Sequence, residues 1–277
     1  MYDWLVAAVL GIVQALTEFL PISSSAHVRI VGEWMLPGQD PGAFFTAIIQ
    51  IGTELAVVVY FWKDIVTIVR KWCLALVGKH DRHDPEVRLG WLIIIGSIPI
   101  VVIGLLFEDY IEGALRSLWI TATMLIAFGL LIGLADWVGK RQYTLEDMTW
   151  RQGILFGLAQ ALAVIPGVSR SGGTIMAGRF MGFSRPEAAR YSFLLAIPAV
   201  LGAGFYGLFK SLGNPDMVIG WGPTIMATVI AFGLGLAVIH WFLGYVKTRS
   251  FAIFVWYRVA LGILLYILLG TGAISAI

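Results

Sequence analysis

Two short polar stretches could do chemistry in this otherwise apolar chain. The first, EFLPISSSAH, runs from Glu18 to His27 and contains Ser23, Ser24 and Ser25. The second, PGVSRSGGT (166–174), contains Ser169, Arg170, Ser171 and Thr174. Each stretch includes a proline next to an apolar run. Ionisable groups at membrane depth are costly, so such clusters indicate a functional site.

This set of side chains suits a phosphate ester or anhydride. Arg170 offers a planar fork of donors that matches phosphate oxygens, and helices starting after the breaks would aim free N–H groups at an anion. His27 titrates near neutral pH when unperturbed and can move a proton. A serine can attack phosphorus when a base activates it. Glu18 could orient the histidine or help to hold a divalent cation.

Each of these residues also has a structural alternative. Serines in membrane helices often serve close packing or bond to backbone carbonyls. Arg170 could be a counter-ion for Glu18, and His27 could be a buried histidine with satisfied hydrogen bonds. The combination beside helix breaks is more specific than any single residue, because structure alone does not require all of them there.

The composition is that of an integral membrane protein. Of 277 residues, 59% are hydrophobic and 13% are charged, and the mean hydropathy is +0.86. Soluble domains have about 45–50% apolar and about 25% charged residues. A net charge of +2 gives no basic excess for binding nucleic acid, and the single Cys73 excludes an intramolecular disulfide.

Two kinds of segment position the polar stretches. A membrane span needs roughly 20 apolar residues, and six runs qualify: 44–62, 90–107, 118–138, 191–209, 223–243 and 252–270. Segments 4–36 and 153–182 are instead interrupted by proline and polar residues. Non-helical backbone at membrane depth must be buried in protein or line a wet cavity, so both are predicted to be re-entrant helical hairpins.

The two halves of the chain resemble each other. GIVQAL (11–16) recurs as GLAQAL (157–162), and the spacing from Gln14 to Ser23 equals that from Gln160 to Ser169. Three spans follow each hairpin, an odd number that inverts the second copy. The prediction is an all-α polytopic membrane protein forming a single membrane domain, 1–277. It has six transmembrane helices and two re-entrant hairpins in an inverted repeat, about 1–140 and about 150–277.

Lysine and arginine are unevenly distributed among the loops between these runs. With the N-terminus outside, the inner loops carry fourteen of them: Lys63, Arg70, Lys71, Lys79, Arg82, Arg88, Lys140, Arg141, Arg151, Arg179, Arg185, Arg190, Lys247 and Arg249. The outer loops carry only Arg116 and Lys210. Because cytoplasmic loops carry the excess of positive residues, both termini are predicted to be extracytoplasmic.

QALTEFLPISSSAH (14–27) and PGVSRSGGT (166–174) resemble the two signature motifs of the undecaprenyl-diphosphate phosphatase family, whose members are often called bacitracin-resistance proteins. The resemblance extends over the whole chain. It implies an enzyme that removes the terminal phosphate of undecaprenyl diphosphate and yields the monophosphate carrier of peptidoglycan precursors.

The resemblance also implies roles for individual residues. Gln14 and Glu18 are expected to act with a divalent cation, Mg²⁺ or Ca²⁺. Ser24, His27 and Arg170 match the family's candidate nucleophile, its histidine and its phosphate-binding arginine. The other hydroxyl groups expected to bind substrate belong to Ser23, Ser25, Ser169, Ser171 and Thr174. Gln14 in place of an acid lowers the negative charge near Glu18.

The expected location is the bacterial plasma membrane, with a site that opens to the outer face, where the spent carrier appears. The expected partners are the polyprenyl diphosphate substrate and bilayer lipids, with a homodimer left open. The alternative function is a transporter or lipid flippase, because inverted repeats with broken helices are typical of transporters.

Glu54 is a further ionisable residue, near the middle of the run 44–62. A carboxylate at that depth is costly unless it is paired, protonated or beside a wet cavity. One hypothesis is a neutral carboxyl group bonded to a neighbouring helix. The other is that Glu54 lines the catalytic pocket, supplies the charge missing at Gln14, and helps to bind the cation or to position Arg170.

Overall fold

The computed structural model describes residues 1–36, 42–113, 115, 117–139, 142–211 and 218–275. Within these ranges the structure is helical, with no β-strand. The helices are α1 (Tyr2–Glu18), α2 (Ser24–Met35), α3 (Ala43–Tyr60), α4 (Trp62–Leu76), α5 (Pro85–Leu106), α6 (Glu108–Glu112), α7 (Leu118–Val138), α8 (Trp150–Ala161), α9 (Arg170–Phe180), α10 (Arg185–Ser211), α11 (Trp221–Thr248) and α12 (Ala252–Gly270). Arg116, Lys140 and Arg141, which enter the predicted charge asymmetry, lie outside the described residues.

Helices long and apolar enough to cross a membrane account for most of the predicted spans. Among the described residues they are α5, α7, α10, α11 and α12, which coincide with five of the six predicted runs. The sixth run forms α3, which is joined to α4 at a bend of 76°. The chain is therefore a multi-pass membrane protein with five candidate spans, or six if the bent pair counts as one.

Helix α4 occupies a segment that the sequence predicts to be a loop. The run WKDIVTIVRKWCLAL carries too many charges to resemble a span. Its apolar residues nevertheless recur with a helical period, which is the pattern of an amphipathic surface helix. Ile68 and Ala75 on its apolar face are buried, so the missed signal is the period rather than the hydropathy.

The two predicted hairpin segments each consist of a helix, a break and a second helix. The first break lies between α1 and α2 and contains Pro21, and the second lies between α8 and α9 and contains Pro166. Helices α2 and α9 have 12 and 11 residues. At 1.5 Å per residue they are about 17–18 Å long, which is shorter than a hydrocarbon core of about 30 Å. The breaks lie where the sequence predicts them.

Glycines allow the helices that precede the breaks to pack closely against neighbouring helices. A Cβ atom on Gly11 of α1 would lie 2.7 Å from the carbonyl oxygen of Ala227 in α11. One on Gly157 of α8 would lie 2.6 Å from the carbonyl oxygen of Gly96 in α5. Small residues of this kind let membrane helices approach backbone to backbone. Each leading helix is thus held against a long apolar helix from the other half of the sequence.

A buried aromatic cluster lies directly beside the first break. Phe19, which follows the last residue of α1, packs edge-on against Phe193 of α10 at 5.5 Å between ring centroids. Phe156 of α8 packs in the same way against Tyr191 of α10 at 4.7 Å. Such aromatic pairs stabilise beyond the area that they bury, so α10 holds both leading helices in place.

Candidate active site

Glu18, the last residue of α1, is the centre of a buried polar network. Its Oε2 atom accepts hydrogen bonds from Ser24 Oγ at 2.6 Å and from Gln14 Nε2 at 2.7 Å. Its Oε1 atom accepts a hydrogen bond from Nη2 of Arg170. The side chain of Glu18 is only 4% exposed. The structure therefore brings the two polar stretches together at one carboxylate, across 152 residues of sequence.

Ser24 and Arg170 occupy matching places, because each is the first residue of the helix after a break. The residues before them, Ser23 and Ser169, are N-caps whose hydroxyl oxygens accept from the backbone N–H groups of Ala26 and Gly172. Both caps have a positive φ, 75° and 72°. A residue other than glycine with φ in this left-handed region costs about 1–3 kcal/mol in backbone strain. The strained caps place Ser24 and Arg170 at the positive ends of two helix dipoles.

The other predicted hydroxyl groups divide into two sets. Ser23, Ser25 and Ser169 line the cavity beside Glu18. Ser171 instead donates to the backbone carbonyl of Leu20 at 3.0 Å. Thr174 is fully buried and bonds to the carbonyl of Arg170 and, at 2.5 Å, to Ser192 Oγ. The contacts of Ser171 and Thr174 hold the second break against the first and against α10, and neither residue is among those lining the cavity.

His27 is not among the residues that line the cavity. Its Nδ1 atom lies 2.7 Å from the carbonyl oxygen of Ser23, and its Nε2 atom lies 2.6 Å from the hydroxyl of Tyr257 in α12. Since a carbonyl oxygen can only accept, Nδ1 carries a proton, and in the neutral ring Nε2 accepts from the tyrosine. The histidine ring thus supports the strained residue next to Ser24, while the carboxylate of Glu18 contacts Ser24 directly.

Glu54 joins the network through Arg170. Its Oε2 atom lies 3.5 Å from Nη1 of Arg170, and its side chain is fully buried. The guanidinium group therefore faces two carboxylates, those of Glu18 and Glu54. Glu54 is not a lining residue of the cavity, so the hypothesis that it lines the catalytic pocket is not supported. Its contact with Arg170 fits both a carboxyl group bonded to a neighbouring helix and a carboxylate that positions Arg170.

Sequence reasoning missed the role of Arg258, a fully buried residue of α12. Its guanidinium group donates to the carbonyl of Pro21 at 3.0 Å and to those of Gly167 and Val168 at 2.6 and 3.2 Å. It also donates to carbonyls of α7. A single side chain thus donates hydrogen bonds to backbone carbonyls in both breaks. An arginine inside an apolar run was the available signal, but sequence does not show which carbonyls it reaches.

The cavity beside this network has a volume of about 630 Å³. Glu18, Ser24 and Arg170 lie at its polar end. Elsewhere its walls are largely apolar residues of α5 and α10. A size of about 300–1,000 Å³ with a few convergent polar groups is typical of a small-molecule site.

Comparison with known proteins identifies the family. Residues 7–264 match the family described as "Bacitracin resistance protein BacA". The chain belongs to the BacA family. Undecaprenyl-diphosphatase of Pseudarthrobacter chlorophenolicus is 60% identical over 99% of this chain and 100% of its own length. Undecaprenyl-diphosphatase 2 of Agrobacterium fabrum is 59% identical over 99% of this chain and 98% of its own length.

The BacA match covers the whole polar network, because Gln14, Glu54, Arg170 and Arg258 all lie within residues 7–264. The family predicted from the two motifs is therefore confirmed. The network itself contains two members, Glu54 and Arg258, that neither motif includes.

Proposed function

We propose that this chain hydrolyses undecaprenyl diphosphate to undecaprenyl phosphate and inorganic phosphate within the bacterial membrane. The observation that carries the proposal is the network at Glu18, where a hydroxyl group, a carboxylate and an arginine meet at the polar end of an apolar cavity. Family membership and the activity named for its relatives support the same substrate. The product is the lipid carrier of peptidoglycan synthesis, and its recycling confers resistance to bacitracin.

The contact between Ser24 and Glu18 supports a serine nucleophile with a carboxylate base. At 2.6 Å, Glu18 Oε2 can take the proton as Ser24 Oγ bonds to the terminal phosphorus. The bond from that phosphorus to the bridging oxygen breaks, and undecaprenyl phosphate leaves with the electron pair. Water then attacks the phosphoserine. The Oγ–P bond breaks, Glu18 returns its proton to Ser24, and inorganic phosphate is released.

Arg170 and the starts of α2 and α9 are proposed to hold the phosphate groups. The guanidinium fork and the free backbone N–H groups are donors suited to phosphate oxygens. His27 is proposed to act indirectly, because its ring bonds to the carbonyl of Ser23 and to Tyr257 rather than facing the cavity.

The oxygen atoms around Glu18 fit a divalent cation, Mg²⁺ or Ca²⁺, both of which prefer oxygen ligands. Among the described residues, Gln14 Oε1 and Glu54 Oε1 are buried and accept no hydrogen bond. Two carboxylates also face one arginine here, so an entering diphosphate needs additional positive charge. Gln14, Glu18 and Glu54 would hold the ion, which when bound would neutralise charge on the diphosphate.

Replacing Glu54 tests its share in cation binding. Glu54→Gln preserves the shape of the side chain and removes its charge, so we expect the apparent affinity for Mg²⁺ or Ca²⁺ to fall by about tenfold, the equivalent of about 1.4 kcal/mol. Adding Gln14→Glu to this variant should restore part of the lost cation affinity. Calorimetric titration of the metal alone into the purified protein measures both effects without any turnover.

Glu108→Gln is the matched control for that titration. Glu108 lines the same cavity and is paired with Lys210, so its loss should leave the metal titration unchanged. If Glu54→Gln also leaves the curve unchanged, Glu54 does not compensate for Gln14 and serves only to position Arg170.

The membrane arrangement is also part of the proposal. We infer six spans, with the bent pair α3–α4 contributing one, and two re-entrant hairpins, α1–α2 and α8–α9. The matching close contacts of Gly11 and Gly157 and the matching strained caps Ser23 and Ser169 support an inverted repeat. The lysine and arginine asymmetry supports an arrangement with both termini outside and the cavity open to the outer face.

Cysteine labelling tests this orientation. In a Cys73→Ser background, we expect Tyr110→Cys in α6 to react with a membrane-impermeant maleimide in intact cells. Arg82→Cys, between α4 and α5, should react only after lysis. Both positions are exposed, so accessibility to water alone does not separate them. Labelling of position 82 in intact cells would reverse the proposed orientation.

Purified protein in detergent separates the enzyme from a transporter or flippase. Release of phosphate from undecaprenyl diphosphate, abolished by Ser24→Ala, is the result expected of the enzyme. Movement of labelled lipid across vesicles with no phosphate release would favour transport instead. A chelator added to the same assay tests the dependence on a divalent cation.

A further inference from the structure

Most of the cavity wall has no part in the chemistry proposed above. Away from Glu18, the wall includes apolar side chains of α5 and α10, together with Thr46, Ala47 and Gln50 of α3. The apolar residues of α5 and α10 are chiefly Ile100, Val101, Leu105, Ala199, Val200 and Ala203. A diphosphate group has no use for such a surface, because apolar walls offer it no hydrogen bonds. Hydrocarbon chains gain about 0.8 kcal/mol for each CH₂ group removed from water. The wall therefore suits the prenyl part of a lipid substrate.

Apolar side chains that line the cavity are also exposed. Val101 and Leu105 both line it, and they are 43% and 59% exposed. Both belong to a helix long and apolar enough to cross a membrane. Ala203 on α10 is likewise both a lining residue and exposed. Lining residues on α5 and α10 that are also exposed fit a gap between these two candidate spans through which the cavity meets the bilayer.

Two glycines frame this gap. A Cβ atom added to Gly104 of α5 or to Gly202 of α10 would meet no described atom within 4 Å, and both glycines line the cavity. Gly204 on α10, by contrast, packs against Ile51, where a Cβ atom would lie 2.5 Å from a side-chain carbon. Glycine within a helix costs about 1 kcal/mol relative to alanine. Close packing explains Gly204 but does not explain Gly104 or Gly202.

A polar contact between α6 and α10 also lines the cavity. Glu108 lines the cavity and accepts hydrogen bonds from Lys210 Nζ at 2.6 Å and from the Tyr206 hydroxyl at 3.2 Å. These bonds join α6 to α10 past the apolar wall. A hydrocarbon chain that passed this contact would meet charged groups.

We propose that the prenyl chain of the substrate leaves the active site sideways between α5 and α10, through a portal framed by Gly104 and Gly202. This inference rests on the proposed function, because the chain must be attached to the diphosphate held at Glu18, Ser24 and Arg170. The head group reaches the catalytic groups while the chain remains in hydrocarbon. The absence of side chains at the two glycines provides the width that a branched prenyl chain needs.

The test is a chain-length series of prenyl diphosphates, from dimethylallyl to undecaprenyl, with Gly104→Leu and Gly202→Leu. A leucine fills the portal, so kcat/KM for undecaprenyl diphosphate should fall at least about tenfold. The loss should shrink with shorter chains. Gly233→Leu on α11 is the matched control, because Gly233 is exposed and also has no neighbour within 4 Å among the described atoms, but lies outside the cavity.

A second experiment blocks the portal reversibly after the protein has folded, so a folding defect cannot explain its result. Gly202→Cys in a Cys73→Ser background is modified with a benzyl methanethiosulfonate and then reduced. Hydrolysis of undecaprenyl diphosphate should fall on modification and recover on reduction. An equal loss for all chain lengths, or no loss after modification, would overturn the portal. Wild-type protein that hydrolyses no prenyl diphosphate would instead overturn the proposed function.

A photoreactive undecaprenyl diphosphate analogue identifies the occupant. Its label should appear on peptides of α5 and α10, and excess unlabelled substrate should remove it. Labelling that excess bilayer phospholipid removes equally well would assign the gap to ordinary lipid and contradict the proposal.

Discussion

Ser24→Ala lowers kcat for undecaprenyl diphosphate by roughly 10³-fold or more and leaves KM within about threefold of the wild-type value. The expected effect is large because the variant removes the only side-chain atom proposed to bond to phosphorus. Binding should persist, since Arg170 and the starts of α2 and α9 remain. Single-turnover phosphate release by purified protein measures the effect directly.

Two further variants make this result specific. Ser25→Ala removes a hydroxyl that also lines the cavity but lies 3.1 Å from Ser23 Oγ rather than beside the carboxylate, so its effect should be much smaller. His27→Ala should fall between the two, because the histidine supports the backbone at Ser23. Full turnover in Ser24→Ala would dismiss the serine and leave a water molecule activated by Glu18 as the nucleophile.

The parts of the site that depend only on residues close together in the chain could be predicted from the sequence. Proline and clustered polar residues cannot continue an apolar membrane helix, so the breaks near Pro21 and Pro166 could be located from sequence. The pairing of Glu18 with Arg170 was one of the alternatives that the sequence left open for this arginine. The long apolar runs also predicted the spans.

The remaining features depend on packing between distant helices. Arg258 bonds a carbonyl 237 residues away in the first break and another 91 residues away in the second. Which way His27 points depends on Tyr257, 230 residues later. Glu54 could be recognised as a costly carboxylate, but only the rotation of α3 within the bundle decides that it faces Arg170. No periodic pattern in one sequence carries that information.

Contacts at both helix breaks together hold the catalytic groups in place. The strained caps at Ser23 and Ser169 begin the two short helices. Arg258 bonds the carbonyl of Pro21, two residues before the first cap, and that of Val168, directly before the second. Ser171 adds a direct bond from the second break to the first. The position of Arg170 relative to Ser24 therefore depends on contacts from both halves of the chain.

Arg170→Lys should lower kcat/KM by roughly 10²-fold or more while the protein still folds, a loss of at least about 2.7 kcal/mol in transition-state stabilisation. Lysine keeps the positive charge, but it cannot contact Glu18 and Glu54 with separate nitrogens and still present a planar fork to phosphate.

Arg185→Lys is the matched control, because Arg185 binds both oxygens of Asp136 at 2.6 and 3.0 Å outside the cavity. That variant loses a comparable fork and should lower the melting temperature without changing kcat/KM. Near-normal turnover in Arg170→Lys would reduce Arg170 to a counter-ion for the two carboxylates, and phosphate binding would then rest on the helix N-termini and the cation.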